Sequence, residues 1–170
     1  KVKILTTEHP IIVFICLTLL ISLISFGFML KVPSARTPES KIGLPIWLIA
    51  IWSPNFAAIF IWLIKDEFLS NIKIAFSFTK FSGWSLLVLV PLLIATLLLI
   101  IEITKGKTIE WSNFKWHYLL PLIFINLMMG PLGEGMGWRA FLYPDLKKSY
   151  GWMASALIVG IIWSLWHGPL

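Results

Sequence analysis

The sequence predicts an all-α fold: a polytopic transmembrane helix bundle of about five spans, with an interfacial segment. Three observations predict it. Of the 170 residues, 58% are hydrophobic and 13% charged, where soluble domains run at about 45–50% and about 25%; the mean hydropathy is +0.88. Apolar runs of the roughly 18 residues that mark membrane helices recur along the chain. Short stretches rich in Gly, Pro and Lys separate them without a long polar insertion, so one domain over residues 1–170 is expected.

The first span is Ile11–Leu30. Its apolar run exceeds the roughly 7–15 residues of a signal peptide core, and no A-x-A site follows it, so a retained membrane helix is expected. The connection Lys31–Leu44 holds Pro33, Pro38 and Gly43, which break the helix. The second span is Pro45–Ile64, interrupted at Pro54 and Asn55, where a kink is expected and neighbours must satisfy the freed carbonyl. Lys65–Gly83 is ambiguous: Phe68, Leu69, Ile72 and Phe76 share a helical face, whereas Ile72, Ile74, Phe76 and Phe78 alternate as in a strand. Lys73 and Lys80 among the aromatics suit an interfacial amphipathic helix, and a partly buried loop is the plainer alternative. The third span is Trp84–Ile101, with Pro91 inside it. The fourth, Trp116–Phe141, carries charge. Tyr143–Gly151 reads as a turn, and Trp152–Pro169 begins a fifth span.

The lone Cys16 cannot form an internal disulfide and signals no oxidising compartment. The net charge of +6 comes from Lys and Arg between the apolar runs. In this setting membrane lipids with anionic headgroups are the expected partners, and no nucleic-acid motif is present. Lys1, Lys3, Lys65, Lys73, Lys80, Lys147 and Lys148 fall on one side of the predicted topology. Lys31, Arg36, Lys41, Lys105, Lys107 and Lys115 fall on the other. The positive-inside rule therefore favours an internal N-terminus only slightly, and the oligomeric state is not legible.

The polar centre lies late in the chain. In P-L-G-E-G-M-G-W-R-A-F-L-Y-P, Glu134 follows a long apolar stretch and Arg139 comes five residues later. A charge at the centre of a membrane helix costs about 2.5–3.5 kcal/mol on insertion scales, so such residues pair or work. Taken alone, Glu134 also fits a helix end at the interface. Gly133, Gly135 and Gly137 allow close helix approach or unwinding around a cavity; no strand precedes them, so they are not a nucleotide loop. In W-S-L-W-H-G-P-L, Trp163 and His167 are four residues apart, on one helix face. A lone membrane histidine is as often a core hydrogen-bonder, and the tryptophans suit packing equally well. Consecutive antiparallel spans can nevertheless bring Glu134 and His167 together. A buried carboxylate, its pKa raised by desolvation, can activate water as a general base, with a neutral imidazole orienting that water. Zinc is a possible cofactor, but two candidate ligands are fewer than a usual site holds. His9 and His117 lie near span ends and read as interfacial.

These two segments resemble the CPBP family of intramembrane endopeptidases, named for CAAX proteases and bacteriocin-processing proteins. Its pattern is E-E-x-x-x-R, an aromatic-x-x-x-H, and a later H-x-x-x-N/D. Here E-G-M-G-W-R supplies Glu134 and Arg139, and W-S-L-W-H supplies Trp163 and His167. The stretch E-G-M-G-W-R-A-F-L-Y-P followed by W-H-G-P-L is similar to bacterial members, which implies a multi-pass protein of the bacterial cell membrane. The resemblance covers Pro131–Leu170. It implies peptide-bond hydrolysis by a water activated by Glu134 and His167, with Arg139, Trp163 and Trp138 supporting the site. The implied partner is a peptide or protein substrate in the membrane, and divalent metal use stays open.

Two departures matter. The second Glu of the pair is Gly135 here. A Glu at that position would face Arg139 at i, i+4, whereas Glu134 lies about 140° round an ideal helix from it. The chain also stops at Leu170, before any third motif, so the C-terminal part of the family domain is expected to be missing. An alternative follows: a catalytically impaired member acting as an immunity or regulatory binding protein. A proton-relaying transporter would spread its polar residues over several spans and often show an internal repeat; here they gather in the last two.

Overall fold

Twenty-two residues from Pro10 to Lys31 form a helix about 33 Å long at 1.5 Å per residue, enough to cross a hydrocarbon layer of about 30 Å. This is a computed structural model, and it describes residues 2–75, 119–168 and positions 93, 96–97, 100–101, 103–106 and 117. Helix α1 is Val2–Glu8 and α2 is Pro10–Lys31. His9 leaves helical geometry between them (φ −130°, ψ 54°), and Pro10 opens α2, where its missing N–H costs no hydrogen bond.

Helix α2 is organised inside out. Its buried residues include Thr18, Ser22 and Ser25, while Leu19, Leu20, Leu23 and Ile24 are exposed. Lipid tails are as apolar as leucine, so membrane helices place small and polar residues between themselves and apolar ones outside. Ser22 and Ser25 donate their hydroxyls to the Leu19 and Ile21 carbonyls of their own helix. Helix α3, Gly43–Ile64, packs on this face and buries Ala50, Ser53, Pro54, Asn55, Ala57 and Ala58. The backbone stays helical through Pro54. The polar connection between α2 and α3 is ordered: Arg36 donates from Nε to the Met29 carbonyl (3.2 Å) and from Nη2 to the Leu30 carbonyl (2.9 Å). A cation there satisfies the last carbonyls of α2 and complements its dipole.

Helix α4, Phe68–Ala75, resolves the ambiguous stretch in favour of a helix as far as it is described. Phe68 and Ile72 turn toward the core, while Leu69 and Ile74 are exposed; residues 76–83 lie outside the described residues. So does most of the predicted third span, although Leu93, Thr96, Leu97, Ile100 and Ile101 are helical. No strand occurs among the described residues.

The last part of the chain departs from the expected span, turn, span. Helix α5, Leu119–Met129, ends at Gly130 (φ −109°, ψ −104°), and a five-residue helix α6, Pro131–Gly135, follows. Met136–Leu142 then widens into a π segment, closed by the Tyr143 N–H on the Trp138 carbonyl. The predicted turn at 143–151 is helical instead: α7 runs Tyr143–Trp166 and breaks only at Gly151 (φ 74°, ψ 177°), a backbone geometry reserved for glycine. Pro144 survives inside this continuous run because it sits just past the π segment, where the ordinary i→i−4 ladder is already displaced. Leu146 is buried in the core and ties this polar-looking stretch down.

Three stretches are long and apolar enough to cross a membrane: Pro10–Lys31, Gly43–Ile64 and Ile123–Trp166. The third has 44 residues, about twice what one crossing needs, and it holds most of both the fourth and fifth predicted spans. The core joining these elements is aromatic. Phe14 of α2 stacks on Phe141 (4.9 Å) and meets Trp138 edge-on (5.4 Å), and Trp138 meets Trp166 edge-on (5.8 Å). The residues between and just after the two charges of the Glu134–Arg139 segment thus serve as core. Residues 1–75 and 122–170 form the compact unit to which this core belongs.

Candidate active site

A five-residue helix cannot hold itself together, because most of its backbone groups lie within an unsatisfied terminal turn. Helix α6, which carries Glu134, is such a helix, and its place is set from outside. Across from it, α3 presents Trp52, Pro54 and Asn55. The Trp52 indole donates to the Met128 carbonyl (2.9 Å) at the end of α5. Asn55, fully buried, donates from Nδ2 to the Leu132 carbonyl (2.6 Å) and accepts the Gly137 N–H on Oδ1 (2.9 Å). Gly137 also lies against Pro54 so closely that a Cβ there would sit 2.5 Å from the proline carbonyl carbon. Only glycine fits that approach.

Held in this way, Glu134 is half-buried, and its Oε2 accepts a hydrogen bond from the Trp163 indole of α7 at 2.5 Å. Four residues on, the His167 ring lies edge-on to Trp163, with centroids 4.3 Å apart, and edge-on to Trp166 at 4.6 Å. His167 Nδ1 is 2.9 Å from the Trp163 carbonyl. A carbonyl can only accept, so in the neutral ring Nδ1 carries the proton and Nε2 is left as an acceptor. Among the described residues no hydrogen bond joins Glu134 to His167 directly; Trp163 stands between them.

Glu134, Trp138, Arg139, Tyr143, Gly160 and Trp163 are among the residues lining a cleft of about 510 Å³. His167 is placed one turn beyond Trp163 and does not line it. Arg139 folds back over Gly135: a Cβ on Gly135 would lie 3.1 Å from Arg139 Nη2. The guanidinium therefore occupies the place where a carboxylate at position 135 would meet it. Trp138 is 4% exposed and Trp166 1%, and neither indole N–H has a partner among the described residues.

No group of three His, Cys, Asp or Glu side chains comes together among the described residues. Glu134 and His167, separated by an indole, fall short of the three protein ligands of a catalytic zinc site. His9 stands at the N-terminal end of α2 without a side-chain hydrogen bond to it, and His117 is exposed.

Asn55 and Trp52 were not legible as site residues. The available signal was W-S-P-N inside an apolar run: an uncharged amide in a membrane span must find partners. The sequence contains nothing that says those partners lie 77 and 82 residues away.

Comparison with known proteins bears on this same region. Residues 116–170 match the family model described as Type II CAAX prenyl endopeptidase Rce1-like. CAAX prenyl protease 2 of Methanococcus maripaludis is 29% identical over 77 residues, covering 42% of this chain and 28% of that protein. The chain thus spans under a third of that relative's length. No solved structure matches. The matched residues contain Glu134, Arg139, Trp163 and His167, and through this segment the chain is similar to Rce1-like CAAX prenyl endopeptidases.

Proposed function

We propose that the chain forms part of an intramembrane endopeptidase that hydrolyses a peptide bond in a membrane-associated or lipid-anchored substrate, with water activated by Glu134. The observation that carries this reading is the seating of Glu134 on the wall of a cleft of about 510 Å³, hydrogen-bonded to a tryptophan whose ring packs on His167.

The chemistry follows from what each atom can do. The indole N–H occupies Oε2 and leaves Oε1 open to a water molecule. As the water oxygen attacks the scissile carbonyl, its proton passes to the carboxylate, which then delivers it to the departing amine. His167, its Nδ1–H held by the Trp163 carbonyl, packs edge-on against the indole that donates to Glu134 and so supports the carboxylate through Trp163. Arg139 brings a fixed positive charge to the same wall, where a developing oxyanion or a substrate carboxylate gains from it.

The test is Glu134→Gln in the full-length protein: the carboxamide keeps the size and loses the base. Cleavage should vanish while fold and abundance hold. Because the relative is named CAAX prenyl protease 2, a prenylated peptide with a C-terminal CAAX box is the first probe. A second reading, a binding or immunity protein on the same scaffold, draws on Gly135, which sits beside Arg139 in place of a second glutamate. It predicts that Glu134→Gln leaves partner co-purification intact, and loss of both cleavage and binding would count against it.

A further inference from the structure

We infer that Asn55 of α3 is the positioning residue of Glu134, clamping the backbone on both sides of the turn that carries the carboxylate. The inference rests on the endopeptidase reading and adds to it an element remote in sequence.

The clamp is visible in its bonds. Leu132 lies two residues before Glu134 and Gly137 three after, and one planar carboxamide holds the carbonyl of the first and the N–H of the second. Both groups lie where the helix passes from α to π register, so each needs a partner from outside the ordinary ladder. A carboxamide is suited to this because it presents a donor and an acceptor at opposite corners. An ionised aspartate would set an oxygen against the Leu132 carbonyl, and leucine would satisfy neither group. Trp52 fixes the far side of the Gly130 break through the Met128 carbonyl. The backbone is therefore held at Met128, Leu132 and Gly137 by two side chains one turn apart on the same long helix.

That helix is a firm base. α3 has 22 residues, and Ala57, Ala58 and Ile61 next to the clamp are 0–1% exposed. Asn55 itself does not line the cleft, so it acts through Glu134 and not on the substrate. Its loss should lower kcat and leave KM nearly alone, because a displacement of about 1 Å at a reacting group can cost about 10²-fold in rate.

The experiment uses full-length protein in native membranes, with Asn55→Ala, Trp52→Phe and Glu134→Gln in parallel. The first readout is kcat and KM on the prenylated CAAX peptide. The second needs no activity: Glu134→Cys, in a background without other cysteines, is labelled with a membrane-permeant maleimide, with and without Asn55→Ala. Leu23→Cys on the lipid face of α2 serves as the control. Asn55→Ala should lower kcat about 10²-fold with KM within about three-fold, and should change the labelling rate at position 134 about ten-fold without affecting position 23. Trp52→Phe keeps the ring and removes one bond, so it tests the clamp in a protein that folds even if Asn55→Ala does not; a smaller loss of kcat is expected. Unchanged kcat and unchanged labelling at position 134 would overturn the inference. If Glu134→Gln cleaves as well as the parent, the endopeptidase reading fails, and the labelling rates still decide the role of Asn55.

Discussion

Gly137→Ala is the sharpest structural perturbation available. The added Cβ would lie 2.5 Å from both the carbonyl carbon and the Cβ of Pro54, and 2.6 Å from its carbonyl oxygen. Carbon atoms rest at about 3.5–4.0 Å, so α3 and the π segment must part by about 1 Å. The Gly137 N–H to Asn55 bond, 2.9 Å in the native fold, then stretches beyond hydrogen-bond range. Overpacking costs about 1–3 kcal/mol and a lost buried hydrogen bond about 1–3 kcal/mol more. The expected destabilisation of about 2–6 kcal/mol is a large part of the 5–15 kcal/mol that typically holds a fold. The assay is thermal unfolding of the purified protein in detergent, followed by intrinsic tryptophan fluorescence. Gly27→Ala on α2 is the matched control: a Cβ there meets nothing within 4 Å, and replacing a mid-helix glycine by alanine should stabilise by up to about 1 kcal/mol. Equal melting of Gly137→Ala and the parent protein would refute the close approach of Pro54 and, with it, the seating of the π segment on α3.

Other substitutions probe other parts of the account. Trp163→Phe keeps an aromatic ring beside His167 and removes the N–H that Glu134 accepts; a charge-assisted bond of about 1.5–3 kcal/mol predicts a fall in kcat of about ten- to a hundred-fold, read by steady-state cleavage of the prenylated peptide. Gly151→Ala meets no neighbour within 4 Å, so its cost is backbone strain alone, about 1–3 kcal/mol for φ near +74° and ψ near 177°; the unfolding assay should place it between the parent and Gly137→Ala.

The sequence revealed what continuous patterns reveal. The first two spans, read as Ile11–Leu30 and Pro45–Ile64, appear as Pro10–Lys31 and Gly43–Ile64, because an unbroken apolar run in a membrane has one way to satisfy its backbone. The Trp163–His167 spacing put both rings on one face, and they do touch. Tyr143–Tyr150 misled because Pro144, Asp145 and two lysines look like a turn. In the fold, Leu146 anchors the segment and Lys148 pairs with Asp145 one turn away, so the helix continues to Gly151. The split of the fourth span at Gly130 was foreshadowed by its glycines but not located by them. The Asn55 clamp was illegible for a different reason: it joins backbone groups far away in the chain, and no local pattern encodes a long-range partner.

The most direct test compares peptide termini in membranes that carry the full-length protein or its Glu134→Gln variant at matched abundance. New termini that appear only with the unaltered protein are the predicted result; they would mark a Glu134-dependent endopeptidase and reveal its substrates. Identical termini in the two membranes, with both proteins folded, would contradict the account.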